Sequence, residues 1–131
     1  MNDIDSRFAG ARLLVVDDSE ISAALVEEML RNLDVRCVVA SDGGQALAIL
    51  AADAGFDGVL LDCEMPEMDG YETARAIRRM AGVSTLPILA MTGNGLPEHL
   101  PAILRSGMNA RITKPLSLKA LSSELDQWIR L

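Results

Sequence analysis

The chain alternates short apolar runs with longer stretches of mixed polarity. Residues 13–16 read Leu-Leu-Val-Val and stop at Asp17-Asp18. Residues 35–40 carry Cys37, Val38 and Val39 and stop ahead of the turn Asp42-Gly43-Gly44. Residues 59–61 stop at Asp62, residues 86–91 at Thr92, and residues 110–113 before Lys114-Pro115. Short runs that are apolar at successive positions predict strands buried on both faces. Between them the spacing is helical. Over residues 19–33, Ile21, Leu25 and Met29 form one line, Val26, Leu30 and Leu33 lie beside it, and Glu27 and Arg31 make an i,i+4 pair on the polar side. Ala46, Leu47 and Leu50 mark a second helix, residues 71–80 a third, residues 98–106 a weaker fourth, and Leu118, Leu121, Leu125 and Trp128 a fifth. Residues 65–70, with Pro66 and Gly70, and residues 93–97, with Gly93, Gly95 and Pro97, read as loops.

Five strand–helix units in succession predict an α/β fold, a parallel sheet doubly wound through right-handed crossovers. A chain of 131 residues suits one domain. Residues 1–10 read as a lead-in or linker and residues 11–131 as the domain. Half the residues are hydrophobic, which argues against disorder. The 19 acidic residues against 12 basic ones give a net charge of −7 and disfavour nucleic acid as a direct partner. A single His excludes a His-rich zinc centre. With two Cys, no signal-peptide pattern and no apolar run approaching the ~20 residues of a bilayer span, a cytoplasmic domain without membrane contact is expected.

Doubly wound sheets bind ligands at the carboxyl ends of their strands. The residues there are Asp17, Asp18, Asp62, Thr92 and Lys114. Three converging carboxylates repel one another, and a hard divalent cation such as Mg²⁺ relieves that repulsion. Lys114 adds a fixed positive charge and Thr92 a hydroxyl donor. The set suits phosphoryl transfer, with Asp62 as nucleophile because it ends the most central strand. The plainer alternative makes Asp17 and Asp18 helix-capping residues. Cys37 reads as a small buried hydrophobe, Cys63 as a neighbour of the site, His99 as solvated and Trp128 as a packing anchor.

Several pieces in order strengthen the phosphoryl reading. They are Val15-Val16-Asp17-Asp18-Ser19, then Leu61-Asp62-Cys63-Glu64-Met65-Pro66-Glu67-Met68-Asp69-Gly70-Tyr71-Glu72, then Ala90-Met91-Thr92, Gly107-Met108-Asn109-Ala110 and Thr113-Lys114-Pro115. Over about residues 11–130 the chain resembles a receiver domain, the phosphoacceptor module of two-component response regulators. Residues 62–70, with Glu72 and Arg75, are most similar to receivers attached to hybrid sensor histidine kinases. The resemblance implies a flavodoxin-like (βα)5 fold with strand order 2-1-3-4-5. It implies Mg²⁺-dependent phosphorylation of Asp62 from a phosphohistidine on a partner histidine kinase or histidine phosphotransfer protein. It implies a metal held by Asp18, Asp62 and the Glu64 backbone carbonyl, with Asp17 acting through water. Thr92 and Lys114 would contact the phosphoryl group, and Lys114-Pro115 would be joined by a cis peptide bond.

The chain departs from the family pattern at named positions. Arg111 stands three residues before the lysine, where an aromatic residue is usual. Arginine does not bury itself without an anion partner. Output is therefore expected to rely on backbone movement in the 93–97 loop, or on Arg111 exchanging a surface carboxylate. Glu64, two residues after Asp62, and Asn94, two after Thr92, are expected at the mouth of the pocket, where the family tunes acyl-phosphate lifetime. Glu64 either disfavours phosphate entry or orients an attacking water. Gly93 replaces a more usual alanine, which loosens its loop. The rival readings are a phosphorylation-independent interaction receiver, using the face around the fourth helix, Arg111 and the fifth helix, and an aspartyl phosphatase or phosphotransferase. The phosphatase lacks a cap domain here, so no enzyme activity beyond self-catalysed phosphorylation and dephosphorylation is expected. His99 has no helix-bundle setting, which puts the donor histidine outside these 131 residues.

Overall fold

A computed structural model of the chain describes residues 8–65, 68–93 and 97–129. Strands β1 (Arg12–Val16), β2 (Arg36–Ala40), β3 (Gly58–Asp62), β4 (Ile88–Thr92) and β5 (Ala110–Thr113) alternate with helices α1 (Glu20–Asn32), α2 (Gly43–Ala52), α3 (Gly70–Arg78), α4 (Leu100–Arg105) and α5 (Leu118–Trp128). A single 3₁₀ turn, Pro97–His99, precedes α4. The strands form one parallel sheet ordered β2-β1-β3-β4-β5, the flavodoxin-like arrangement.

Alternation of side chains along each strand divides the core in two. Leu14, Val16, Val59, Leu61, Ile88 and Ala90 face one way and meet Ala46 and Leu50 of α2, Ala74 and Ile77 of α3, and Ile103 of α4. Leu13, Val15, Leu60, Leu89 and Met91 face the other way and meet Val26 and Leu30 of α1 and Leu121 and Leu125 of α5. Every residue of β3 and β4 is buried, whereas the edge strands β2 and β5 are partly exposed. Among the described residues no helix is long and apolar enough to cross a membrane.

Local chemistry sets the helix starts. Ser19, Asp42, Asp69 and Ser117 cap α1, α2, α3 and α5 by accepting from backbone N–H groups of the first turns. In α3 the Glu72 side chain reciprocates, accepting from the Asp69 N–H in a capping box.

Some details differ from the sequence reading. The two apolar lines of α1 part company: Val26 and Leu30 enter the core, while Ile21 and Leu25 stand 77% and 60% exposed. Arg31 bonds Glu28, one residue over from the expected Glu27, and Glu27 instead accepts from the Cys37 thiol. Phe8, within the expected lead-in, is buried in the core cluster that also holds Leu33 and Val35. Trp128 packs at the edge of the same core.

Candidate functional site

Strand register assembles the site. Val16 pairs with Leu61, so Asp17 emerges beside Asp62 at the adjoining ends of β1 and β3. Asp62 pairs with Met91 and Thr92 with Thr113, which brings Thr92 and Lys114 to the same rim. Three backbone bonds extend the ladders past the last pairs: Asp17 N–H to Ala40 O at 3.0 Å, Cys63 N–H to Met91 O at 3.0 Å, and Lys114 N–H to Thr92 O at 2.8 Å. The crevice lies where the chain order reverses around β1 and β3, as expected for such a sheet.

Asp17 and Asp62 are each only 2% exposed, while Asp18 faces solvent. Asp62 Oδ1 accepts from the Glu64 backbone N–H at 3.1 Å and from Lys114 Nζ at 3.1 Å. Burial raises the Asp62 carboxyl above its ordinary 3.8; Asp17 adds to that, and the Glu64 N–H and Lys114 oppose it. Burial alone would pull Lys114 down, yet its bond to Asp62 and the charges of Asp62, Asp17 and Glu64 leave it raised. The Lys114–Pro115 peptide bond is cis.

Asp17, Asp18 and Asp62 can each offer a carboxylate oxygen within 4.8 Å of the others. Asp17 Oδ1 accepts from the Ser19 N–H at 3.0 Å, but Asp17 Oδ2 is buried with no hydrogen-bond partner. A buried, unpartnered carboxylate oxygen beside two further carboxylates fits a hard, oxygen-seeking divalent cation.

The opposite wall is built by Glu64. Its Oε2 accepts from Thr92 Oγ1 at 3.1 Å and its Oε1 from the Gly93 N–H at 3.2 Å. Cys63, Glu64, Tyr71, Thr92, Gly93 and His99 line a cleft of about 540 Å³ beside this contact. The Cys63 thiol is pushed up to about 12 by burial and by the charges of Glu64 and Asp62, which makes it a poor nucleophile. Cys37 is only half-buried and is raised to about 11, by burial and by Glu27. Arg111, on β5, lines a separate groove with Glu124.

The sequence reading places Gly70 in the 65–70 loop and gives it no role, whereas it is the first residue of α3. A side chain there would collide with the backbone of Asp62 and Cys63, so the first residue of α3 seats directly under the end of β3. Its place beside Asp69, the α3 cap, was the available signal. Asn94, Pro66 and residues 1–7 lie outside the described residues.

A family model described as "Response regulator receiver domain" matches residues 13–126. Sensor histidine kinase RcsC of Salmonella typhi is 41% identical over 113 residues, which cover 86% of this chain and 12% of that protein. The chain therefore spans about an eighth of this curated relative. The receiver domain of sensor histidine kinase PA1611 from Pseudomonas aeruginosa PAO1, solved with a magnesium ion coordinated in its active-site cleft, has a TM-score of 0.83 and 34% identity over 92% of this chain and 98% of that one. A chain of the co-crystal structure of the Saccharomyces cerevisiae histidine phosphotransfer protein Ypd1 with the receiver domain of Ssk1 has a TM-score of 0.82 and 27% identity over 92% and 90%.

Proposed function

The chain belongs to the response regulator receiver family, and from that premise we propose that it is a phosphoacceptor of a cytoplasmic two-component or phosphorelay system. One Asp62 carboxylate oxygen attacks the phosphorus of a phosphohistidine on a histidine kinase or histidine phosphotransfer protein. The new O–P bond forms as the N–P bond breaks, and the imidazole leaves with the electron pair. The observation that carries this reading is a nearly buried carboxylate held between a lysine ammonium and an acidic pair at the carboxyl edge of the sheet.

Asp18, Asp62 and the Glu64 carbonyl would hold Mg²⁺, with Asp17 acting through water; the cation supplies neutralisation of phosphoryl charge. Lys114, paired with Asp62 before transfer, would shift its ammonium to a phosphoryl oxygen once Asp62 carries the acyl phosphate. The Thr92 hydroxyl and the Gly93 N–H would donate to other phosphoryl oxygens.

A docking surface adjoins the pocket. Exposed Ile21 and Leu25, with Met29, Pro115 and Leu116, line an apolar groove of about 400 Å³ that also takes in Lys114. An amphipathic helix carrying the donor histidine would bury this groove while aligning the histidine with Asp62. Arg111 supports an output route in which the arginine changes carboxylate partners rather than burying a ring.

The test is intact-protein mass after incubation with Mg²⁺ and acetyl phosphate. One added phosphoryl group on the wild type and none on Asp62→Asn supports the acceptor. Absence of any adduct supports the phosphorylation-independent interaction receiver, and repeated turnover of organic phosphates supports an enzyme.

A further inference from the structure

The two donors that the proposed function assigns to phosphoryl oxygens are already engaged by a carboxylate. Glu64 spans them, one oxygen on Thr92 Oγ1 at 3.1 Å and the other on the Gly93 N–H at 3.2 Å. Its own backbone N–H donates to Asp62 Oδ1 at 3.1 Å, so Glu64 is anchored at the acceptor and reaches across to the end of β4. A carboxylate offers the same two-oxygen anionic edge that a phosphoryl group presents to a hydroxyl and an adjacent amide.

Resting on the phosphoacceptor reading, we infer that Glu64 is an internal stand-in for the phosphoryl group, a latch that must leave Thr92 and Gly93 before a phosphoryl group on Asp62 can take them. The latch is competitive. It lowers affinity for small phosphoryl mimics, and it keeps the end of β4 in an anion-bound state before any phosphate arrives. This gives the Glu64 side chain a sign: it opposes phosphoryl binding. Its backbone carbonyl is untouched by a side-chain substitution, so the metal contact proposed there is retained.

Two measurements on wild type, Glu64→Gln and Glu64→Ala test it. In metal-free protein, amide hydrogen exchange at Gly93 is faster in Glu64→Ala than in wild type, because the N–H loses its carboxylate acceptor. With Mg²⁺ present, Glu64→Ala binds beryllofluoride roughly tenfold more tightly, the scale of one charge-assisted hydrogen bond. Glu64→Gln, which keeps a carbonyl acceptor without the charge, falls between. Unchanged Gly93 exchange overturns the latch, as does equal or weaker beryllofluoride binding by Glu64→Ala. Equal gains in the Gln and Ala variants assign the effect to charge alone and also overturn it. A wild type that takes neither beryllofluoride nor a phosphoryl group defeats the phosphoacceptor reading and the stand-in together, while Gly93 exchange separately reports whether the contact exists.

Discussion

Substituting Gly70 by Ala perturbs the acceptor strand without changing any polar side chain. A Cβ at this position would lie 2.5 Å from Asp62 O, 2.8 Å from Cys63 Cα and 3.1 Å from Asp62 C. Carbon atoms pack at about 3.5–4.0 Å, so the overlap with Cys63 Cα alone is close to an ångström. All three neighbours are backbone, so no rotamer change relieves the contact. The helix cannot easily retreat, because its capping box and its buried Thr73, Ala74 and Ile77 hold it against the sheet. Ala otherwise gains about 0.5–1 kcal/mol over Gly in a helix. Overpacking costs about 1–3 kcal/mol, so the net expectation is destabilisation of about 1–2 kcal/mol. Gly44, near the start of α2, is the control: a Cβ there meets only Asp42 Oδ1, at 3.5 Å. Gly44→Ala should stabilise by about 0.5 kcal/mol. Urea denaturation of both variants gives the stabilities, and acetyl phosphate labelling gives the effect on Asp62. Displacement of a reacting group by about an ångström costs up to ~10²-fold in rate, so Gly70→Ala should label slowly while Gly44→Ala labels normally. If Gly70→Ala matches Gly44→Ala in stability and labels at the wild-type rate, the seating of α3 under Asp62 is refuted.

Other expectations follow from contacts elsewhere. Arg78 donates from Nε to Gly107 O at 2.9 Å, from Nη1 to Leu86 O at 2.6 Å and from Nη2 to Asn109 Oδ1 at 3.0 Å, tying α3 to the segments flanking β4 and β5. Arg78→Met strands those acceptors and should cost about 2–3 kcal/mol in a thermal melt; a loss within the noise would contradict it. The raised Asp62 carboxyl makes the metal-free fold bind its proton more tightly than the unfolded chain does. Stability from this group is therefore present below its ordinary 3.8 and lost as pH rises through the higher folded value. Asp62→Asn should thus be more stable than wild type at pH 7 in chelator, with the gap closing in acid; a gap independent of pH would sink the argument. Arg111→Ala should alter the chemical-shift response of the β5 amides to beryllofluoride, whereas an identical response in both proteins removes Arg111 from switching.

The site was legible because the apolar runs of β1, β3, β4 and β5 each end on a residue that carries chemistry. In a parallel sheet, register brings those ends to one rim, so Asp17, Asp62, Thr92 and Lys114 converge without any side-chain information. Orientation around a helix was less legible. Ile21 and Leu25 share the apolar period of Val26 and Leu30, and only tertiary packing decides which line is covered. Arg31 has a glutamate at each of two adjacent positions, i−4 and i−3, which the sequence pattern does not distinguish, and it pairs with Glu28. Phe8 reads as part of a lead-in because the core residues it is buried with, Leu33 and Val35 among them, are distant in the sequence. The bond from Glu64 to Thr92 depends on how closely the ends of β3 and β4 sit, a spacing no local pattern encodes.

The most direct test of the central claim is to locate the modification. The protein is incubated with acetyl phosphate, with Mg²⁺ or with chelator, then reduced with borohydride to trap any acyl phosphate and mapped by peptide mass. The account predicts a trapped residue at position 62, formed only when Mg²⁺ is present. Trapping at another carboxylate, or labelling of Asp62 that is indifferent to the cation, would contradict it.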